Sequence, residues 1–181
     1  MQPPSARAEY AIDSTGRIVS VDEGFRALAQ RHGQPRLPDT AVGRPLLDFV
    51  AGTRPRALQA ALIARARRDR RPLEVRYRCD SPDERRYAVL VVDPDREPGG
   101  IVFRTWFEAI ESRDHQRLLD LSQPRGDRVV WLCAWCNRVD ARGWREVEQV
   151  AAQLPRTKCP LPRVEHSVCD VCELLLTKRP A

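Results

Sequence analysis

Residues 131–172 read WLCAWCNRVDARGWREVEQVAAQLPRTKCPLPRVEHSVCDVC, with the CxxC pairs Cys133/Cys136 and Cys169/Cys172 near the two ends. Each pair can chelate a metal ion locally, and two pairs folded toward each other supply the four thiolates of a tetrahedral zinc site. A segment of this length has too little apolar surface to fold alone, and a bound metal commonly supplies the missing stability. The sequence therefore predicts a four-cysteine module over residues 128–176 that binds Zn²⁺ in a structural role.

Other side chains near the cysteines have secondary predicted roles. His166 is expected to support the Cys169 turn from outside the ligand set or to be a packed polar residue, and the alternative is that it replaces one cysteine as a ligand. Cys159 is expected to lie in a loop and to bind no metal. Three cations are close enough in sequence to offset the negative charge of four thiolates bound to Zn²⁺: Arg138, Arg163 and Lys178.

The same four cysteines are also compatible with functions other than structural zinc binding. Four thiolates also bind iron–sulfur clusters, so a redox-sensing or iron-sensing regulator is an alternative. A thioredoxin-like redox pair has less support, because neither CxxC opens a helix after a core strand in a βαβ context. Attachment of a c-type haem is excluded, because Asn137 and Glu173 stand where CxxCH requires histidine.

The interior of the tail shows a helical pattern. Apolar residues recur at i, i+3, i+4 and i+7, which predicts an amphipathic helix ended by Pro155, with Trp144 just before it as a packing anchor. These apolar residues are Val147, Val150, Ala151 and Leu154. Upstream, a polar helix is predicted over 108–121, followed by a turn-rich linker at 124–127, so residues 108–127 are assigned as a helical linker.

The first half of the chain reads as strand, turn, strand and helix. Two β-prone runs, 10–12 and 18–21, flank the polar turn 13–17. Asp22 is placed to cap a helix that Gly33 and Pro35 stop. This helix has an apolar face of Phe25, Leu28 and Ala29.

A Pro-rich loop and an apolar turn-and-helix segment, 41–50, come next. A longer helix is then predicted over 56–68, with Leu58, Ala61, Leu62 and Arg65 defining its inner stripe and rim.

Three strand-like runs follow the long helix, at 73–79, 87–92 and 101–107. The separators 80–83 and 93–100 are rich in Asp, Pro, Ser and Gly, so consecutive antiparallel pairing is the simplest arrangement. Residues 8–107 are therefore predicted to form one α+β domain, after a disordered N-terminus at 1–7. A short tail, 177–181, ends the chain.

The order of these elements resembles the PAS sensory domain over roughly residues 8–110. The resembling stretches are Asp13…Gly16-Arg17-Ile18…Phe25, Val42-Gly43-Arg44-Pro45-Leu46…Phe49 and Tyr77-Arg78-Cys79-Asp80-Ser81-Pro82. The resemblance implies a five-stranded antiparallel sheet with flanking helices that cups a small pocket. It also implies a role in sensing or partner contact rather than catalysis.

The tail resembles a cysteine-rich segment found after PAS domains in some bacterial signalling proteins. The pattern C-x-W-C-K-x-(I/V)…G-x-W…E…H-(S/G)-x-C-x-x-C is matched at Cys133, Trp135, Cys136, Val139, Trp144, Glu148, His166, Ser167, Cys169 and Cys172. The chain departs from it at Asn137, where a basic residue is frequent, and at Gly143, which directly precedes Trp144.

The two best-known PAS cofactors find no matching residue. Photosensory relatives place a flavin-reacting cysteine on a helix before the long helix, and residues 42–50 contain none. Haem-binding relatives generally use a histidine on the long helix, and residues 54–71 contain none. Cys79 is interpreted as an ordinary strand residue, although a ligand-facing thiol is the alternative. The ligand of the PAS pocket stays unknown.

Composition limits the partners. The net charge is +6, but only Lys158 and Lys178 are lysines among 31 basic residues. We attribute this bias to coding composition rather than to a nucleic-acid surface. The arginine run at 65–71 also suits a solvated helix C-terminus. The sequence has no catalytic constellation, signal peptide or membrane span, so a cytoplasmic protein without membrane contact is expected.

We therefore predict a non-enzymatic PAS-type regulatory protein with a structural zinc site. The helix at 108–121 would carry the signal to the zinc module or to a dimer partner. An unidentified protein would receive the output, since no output domain is recognised. A zinc-ribbon nucleic-acid binder that uses the PAS domain for dimerisation is the further alternative.

Overall fold

The structure is a computed structural model that describes residues 7–95, 97–154 and 160–177 of the 181-residue chain. The first part contains, in order, β1 (Ala8–Ile12), β2 (Ile18–Val21), α1 (Glu23–Arg31), α2 (Leu37–Ala41), a 3-10 helix (Leu46–Phe49), α3 (Thr53–Asp69), β3 (Leu73–Arg78), β4 (Glu84–Pro94) and β5 (Ile101–Ser112). The second part contains β6 (Arg125–Cys133), β7 (Val139–Asp140), β8 (Trp144–Arg145), α4 (Val147–Ala151), β9 (Leu161–Ser167) and α5 (Asp170–Thr177).

The first sheet has five strands in the order β2-β1-β5-β4-β3, and every neighbouring pair is antiparallel. The predicted α+β class, the five-stranded antiparallel sheet and the consecutive pairing of the late strands are confirmed. The first strand lies between β2 and β5, so the sheet joins the beginning of the chain to its middle.

Two aspartates explain why the first elements form where they do. The Asp13 carboxylate accepts hydrogen bonds from the backbone N–H groups of Thr15 and Arg17 at 2.8 and 2.9 Å, which closes the turn between β1 and β2. The Asp22 carboxylate accepts from the backbone N–H of Phe25 at 2.7 Å and caps α1. Both features were predicted, because each depends on residues close together in sequence.

The inner face of the first sheet is filled by apolar side chains. Phe103 is fully buried, and Tyr10 stacks on it with ring centroids 4.7 Å apart. Helix α3 covers this face with Ile63 and Ala66. The predicted inner stripe of α3 was wrong at Ala61, which is exposed because the helix turns Gln59 and Ile63 inward instead.

The predicted helix at 108–121 was wrong. Residues 101–112 form β5, and its pairing with β4 runs to the Glu84↔Ser112 partners, after which residues 113–124 form turns and irregular structure. Pairing along this long hairpin overrides the weak helical pattern. Leu118 is fully buried against the second part of the chain, whereas Leu121 is 92% exposed. The assigned helical linker is therefore an extended strand followed by a turn-rich segment.

Three smaller predictions also need correction. The Pro-rich loop contains the short helix α2, which has proline in its first turn, where the missing N–H is harmless. β6 begins at Arg125, inside the predicted linker 124–127. The tail helix is α4, which ends at Ala151 although Leu154 still packs against the same apolar cluster.

Some predictions concern residues outside the described ranges. These residues are Pro155, Cys159, the N-terminal residues 1–6 and the C-terminal residues 178–181, which include Lys178.

The second sheet has four strands in the order β8-β7-β6-β9. β6 and β9 are parallel, with Leu132 opposite His166 and Cys133 opposite Ser167, while the other two pairs are antiparallel. The sequence analysis predicted no strands here. Leu118, Leu132, Val139, Val147 and Val150 form the buried apolar cluster beneath this sheet and α4.

The two sheets share a core. Leu58 and Leu62 of α3 and Val75 of β3 pack in one cluster with Cys133, Trp135, Val168 and Cys169. The backbone N–H of Arg78, at the end of the edge strand β3, donates to the Trp135 carbonyl at 2.7 Å. The second part of the chain therefore covers α3 and the β3 edge. In the described part of the chain, each helix is too short or too polar to cross a membrane.

Candidate metal centre

The parallel strands β6 and β9 bring the two CxxC pairs together. Cys133 is the last residue of β6, and Cys169 follows β9 by two residues. Because parallel strands end at the same edge of a sheet, both pairs begin at that edge. Cys136 lies in the turn after β6 and Cys172 in the first turn of α5.

The four sulfur atoms form a compact group. The Sγ atoms of Cys133, Cys136, Cys169 and Cys172 all lie within 4.8 Å of one another. The Sγ atoms of Cys136 and Cys169 are 3.7 Å apart, and all four cysteines are free thiols. Four sulfurs at about 2.3 Å from a central Zn²⁺ define a tetrahedron with edges of roughly 3.8 Å. The sulfur spacing therefore fits a single ion held by four thiolates.

An iron–sulfur cluster fits this group less well. In a four-iron cluster each cysteine binds a different iron, so the thiolates lie around an inorganic core rather than around one atom. The 3.7 Å separation between Cys136 and Cys169 leaves little room for such a core. A mononuclear site is the better geometric match.

Backbone N–H groups point at two of the sulfurs. The N–H of Cys169 donates to Cys133 Sγ at 3.3 Å, and the N–H of Cys172 donates to Cys169 Sγ at 3.4 Å. Such donors stabilise the thiolate, which is the form that binds metal. Cys133 and Cys169 are buried in the shared core, so these bonds act away from water.

Hydrogen bonds among the four sulfur atoms separate the pKa values of the thiols. Hydrogen bonds from Cys136 and Cys172 lower the pKa of Cys133. The hydrogen bond to Cys133 raises the pKa of Cys136 to about 12, and the pKa of Cys172 also rises through its bonds to Cys133 and Cys136. Four adjacent thiolates cannot all ionise without a cation to offset their charge. The donor set therefore fits a divalent metal that supplies this charge.

The turn inside the first CxxC explains one departure from the tail pattern. Asn137 has φ 56, in the left-handed region that Asn tolerates better than most residues. Its N–H donates to the Cys133 carbonyl at 2.9 Å, and the Cys133 N–H donates to the Arg138 carbonyl at 2.8 Å. Asn137 therefore shapes the turn that places Cys136.

Of the cations that were predicted to offset the thiolate charge, Arg138 pairs with Glu146 at 3.0 Å, and Arg163 is exposed on β9.

His166 does not join the sulfur group. The structure places the four cysteines, and no other ligand atom of the described residues, in this cluster. Burial lowers the pKa of the His166 imidazole, which favours its neutral form. The backbone of His166 has a packing role instead, because a Cβ on Gly52 would come within 2.3 Å of its carbonyl oxygen. Gly52, with φ 89, is therefore required where α3 begins against β9.

Cys79 lies away from the sulfur group. It is partly buried just beyond β3, and burial raises the pKa of its thiol, as expected for an unreactive cysteine. It lines a cleft of about 360 Å³ together with Tyr77, Leu132 and His166. The cleft lies where the end of β3 faces the second sheet.

An ion-pair network beside the metal centre was missed by sequence reasoning. The Asp80 carboxylate is fully shielded from solvent and pairs with Arg78 and, at 3.1 Å, with Arg113. Arg78 also binds Glu146 at 2.6 Å, and Arg113 binds Glu148 at 2.8 Å. Sequence patterns did not predict this network, because it joins three segments of the chain: the end of β3, the residues after β5 and the tail. The ion pairs between these segments link residues more than 30 positions apart.

Glu146 connects this network to the first CxxC turn through Arg138. Burial alone would raise the pKa of Glu146, but hydrogen bonds from Arg78 and Arg138 outweigh it and hold the pKa below its ordinary value of 4.5. A carboxylate with a lowered folded-state pKa stabilises the fold above its unfolded pKa, and this contribution is lost as pH falls through the folded value.

The Glu146→Gln variant is therefore expected to be less stable than the wild type above about pH 5, with the difference shrinking as the pH falls below 4.5. Urea unfolding across this pH range measures the difference. The control is Glu165→Gln, because Glu165 is exposed on β9 and is expected to change stability little at any pH. A pH-independent difference for Glu146→Gln would contradict the assignment.

Comparison with known proteins identifies no relative of this chain. No model of a known family matches the chain, and no curated protein is similar to it. The resemblance to PAS proteins stays a prediction.

Proposed function

We propose that the chain is a non-enzymatic sensory or regulatory protein of the PAS type with one structural zinc ion held by Cys133, Cys136, Cys169 and Cys172. The observation that carries the proposal is the group of four sulfurs within 4.8 Å, inside a core shared by two sheets. The order of strands and helices, with α3 across one face of a five-stranded antiparallel sheet, supports the PAS part.

A structural role for the metal follows from the ligand set. Catalytic zinc sites keep one position open for water or substrate, whereas structural sites are closed by four protein ligands. Here four cysteines complete the tetrahedron, and two of them are buried. The ion would thus hold the second sheet and α5 against α3 and β3.

The shared core replaces the helix at 108–121 as the route for a signal. A ligand or partner that shifts β3 would act on Trp135 through the Arg78 N–H and on Glu146 through the Arg78 guanidinium. The output would pass to another protein or to a second copy of the chain, in the cytoplasm.

Binding to nucleic acid draws little support from the arginine run in α3. Arg65 donates to the Leu176 carbonyl at 3.1 Å, and Arg67 donates to the carbonyls of Gly99 and Asp13, each at 2.8 Å. Arg68 pairs with Asp69 at 2.9 Å. The contacts of Arg65 and Arg67 join distant parts of the chain, so these two arginines have structural roles.

Metal analysis and an absorption spectrum of anaerobically purified protein test the proposal. We expect about one zinc per chain and no visible absorption, as a d¹⁰ ion with four thiolates gives. The Cys79→Ser variant is the control and should retain the same zinc content. Detection of iron and sulfide, together with visible charge-transfer bands, would instead support the redox-sensing or iron-sensing alternative. Absence of both metals would overturn the metal centre itself.

A further inference from the structure

A row of three side chains crosses the second sheet. Trp131 of β6 is directly opposite Asp140 of β7, and Asp140 is directly opposite Trp144 of β8. Directly opposed residues of antiparallel strands project from the same face of a sheet. All three accordingly line one cleft of about 480 Å³, and Asp140 lies between the two tryptophans in the row.

The spacing of the two indoles suits a cation. Neighbouring strands lie about 4.8 Å apart, so Trp131 and Trp144, two strands apart, are separated by roughly 9–10 Å at the backbone. A cation held above the sheet midway between these two backbone positions would lie about 5 Å from each strand, a spacing compatible with the roughly 6 Å reach of a cation–π interaction.

The charges of the cleft favour the same occupant. Asp140 accepts a hydrogen bond from the Gly143 N–H at 3.0 Å and, among the residues that the structure describes, has no ion-pair partner. Arg54 and Asp170 also line the cleft and pair with each other at 3.4 Å, while Arg54 binds Glu173 as well. Arg54 thus shares one positive charge between two carboxylates, and Asp140 adds a further negative charge beside the two tryptophans.

The tryptophans of the tail differ in solvent exposure. Trp135 is 8% exposed and belongs to the shared core, whereas Trp131 is 43% exposed at the cleft. Trp144 is partly buried and packs against the shared core. A large aromatic side chain that stays exposed beside an unpaired carboxylate is not explained by core packing.

We propose that this cleft binds a small quaternary ammonium compound between Trp131 and Trp144, with Asp140 as the counter-charge. A compact ammonium or metal ion holds its hydration water strongly, and indole faces cannot replace that water. Methyl groups on the nitrogen remove this penalty and contact both rings, while the positive charge is attracted to the ring faces and to Asp140. The inference is independent of the identity of the bound metal.

Calorimetric titration of the metal-loaded full chain with tetramethylammonium chloride, at constant ionic strength, tests the proposal. We expect saturable binding that is at least about tenfold tighter than for tert-butanol, a neutral compound of similar shape. The Trp131→Leu and Asp140→Asn variants should each weaken tetramethylammonium binding roughly 5- to 30-fold. Asparagine retains the oxygen that accepts from Gly143, so the turn should persist.

Trp106→Leu is the matched control, because Trp106 lies on the first sheet with the Arg7 guanidinium already 5.8 Å from its ring centroid. It should bind tetramethylammonium as the wild type does. Metal content and the thermal midpoint of each variant show that the fold is kept, which separates this test from that of the metal centre. Absence of saturable binding, equal binding of tert-butanol, or unchanged affinity in Trp131→Leu would overturn the proposal.

Discussion

If the four cysteines hold the proposed zinc ion, the Cys169→Ser variant is expected to lose bound zinc and about 4–5 kcal/mol or more of unfolding free energy, the range reached when a structural metal is lost. Cys169 is buried in the shared core, and its sulfur is 3.7 Å from Cys136 Sγ. A serine oxygen is a harder and much less acidic ligand than a thiol, so the site would retain three good ligands at most. Zinc content and urea unfolding measure the two effects.

The same variant should also loosen the first sheet locally. The Arg78 N–H at the β3 edge donates to the Trp135 carbonyl, which lies in the turn between Cys133 and Cys136 that the proposed metal would hold in place. Hydrogen exchange at Arg78 should therefore quicken in Cys169→Ser, while exchange in β1, at the far side of β5 and β4, changes less. Cys79→Ser serves as the control for both measurements. Full zinc content and wild-type stability in Cys169→Ser would refute a structural metal centre.

The second large effect is expected for Asp80→Asn. Its carboxylate has no solvent exposure and compensates Arg78 and Arg113, whose side chains are 12% and 9% exposed. Removing one partner of a buried ion-pair group leaves uncompensated charge and destabilises a protein by about 3–5 kcal/mol. For a chain of this size, that corresponds to a fall of roughly 6–20 °C in the thermal midpoint.

Asp83→Asn is the matched control for this prediction. Asp83 is three residues away, but its side chain is 66% exposed and its partner is His115 at 2.8 Å. Exposed ion pairs contribute about 0–1 kcal/mol, so this variant should unfold close to the wild-type midpoint. Equal effects of the two substitutions would show that the Asp80 network is not a buried, charge-balanced group.

The features that the sequence predicted correctly depend on short stretches of chain. Asp13 and Asp22 bond to backbone groups within four residues, so their turn and helix cap could be inferred directly. The CxxC pairs were recognisable for the same reason. Their convergence at one point required only that the residues between them turn back, which the β6–β9 pairing accomplishes.

The features that were missed depend on distant contacts. β9 carries Arg163 and Glu165 on its exposed side, and it has too few apolar residues to be predicted as a strand from the sequence. It is a strand because it pairs with β6. The segment after β5 reads as helical because Leu118 looks like part of an amphipathic stripe. In the fold this leucine is buried by β6, β7 and α4, which the local pattern could not show.

The shared core has a consequence for the order in which the chain can fold during synthesis. Leu58, Leu62 and Val75 emerge from the ribosome long before Val168 and Cys169, which cover them. A nascent chain that ends before residue 169 can pair all five strands of the first sheet, yet it leaves an apolar flank of α3 and the edge of β3 open to water. Translation of the final CxxC is thus the step that closes this flank, and chains truncated upstream of it would be the species most prone to aggregate.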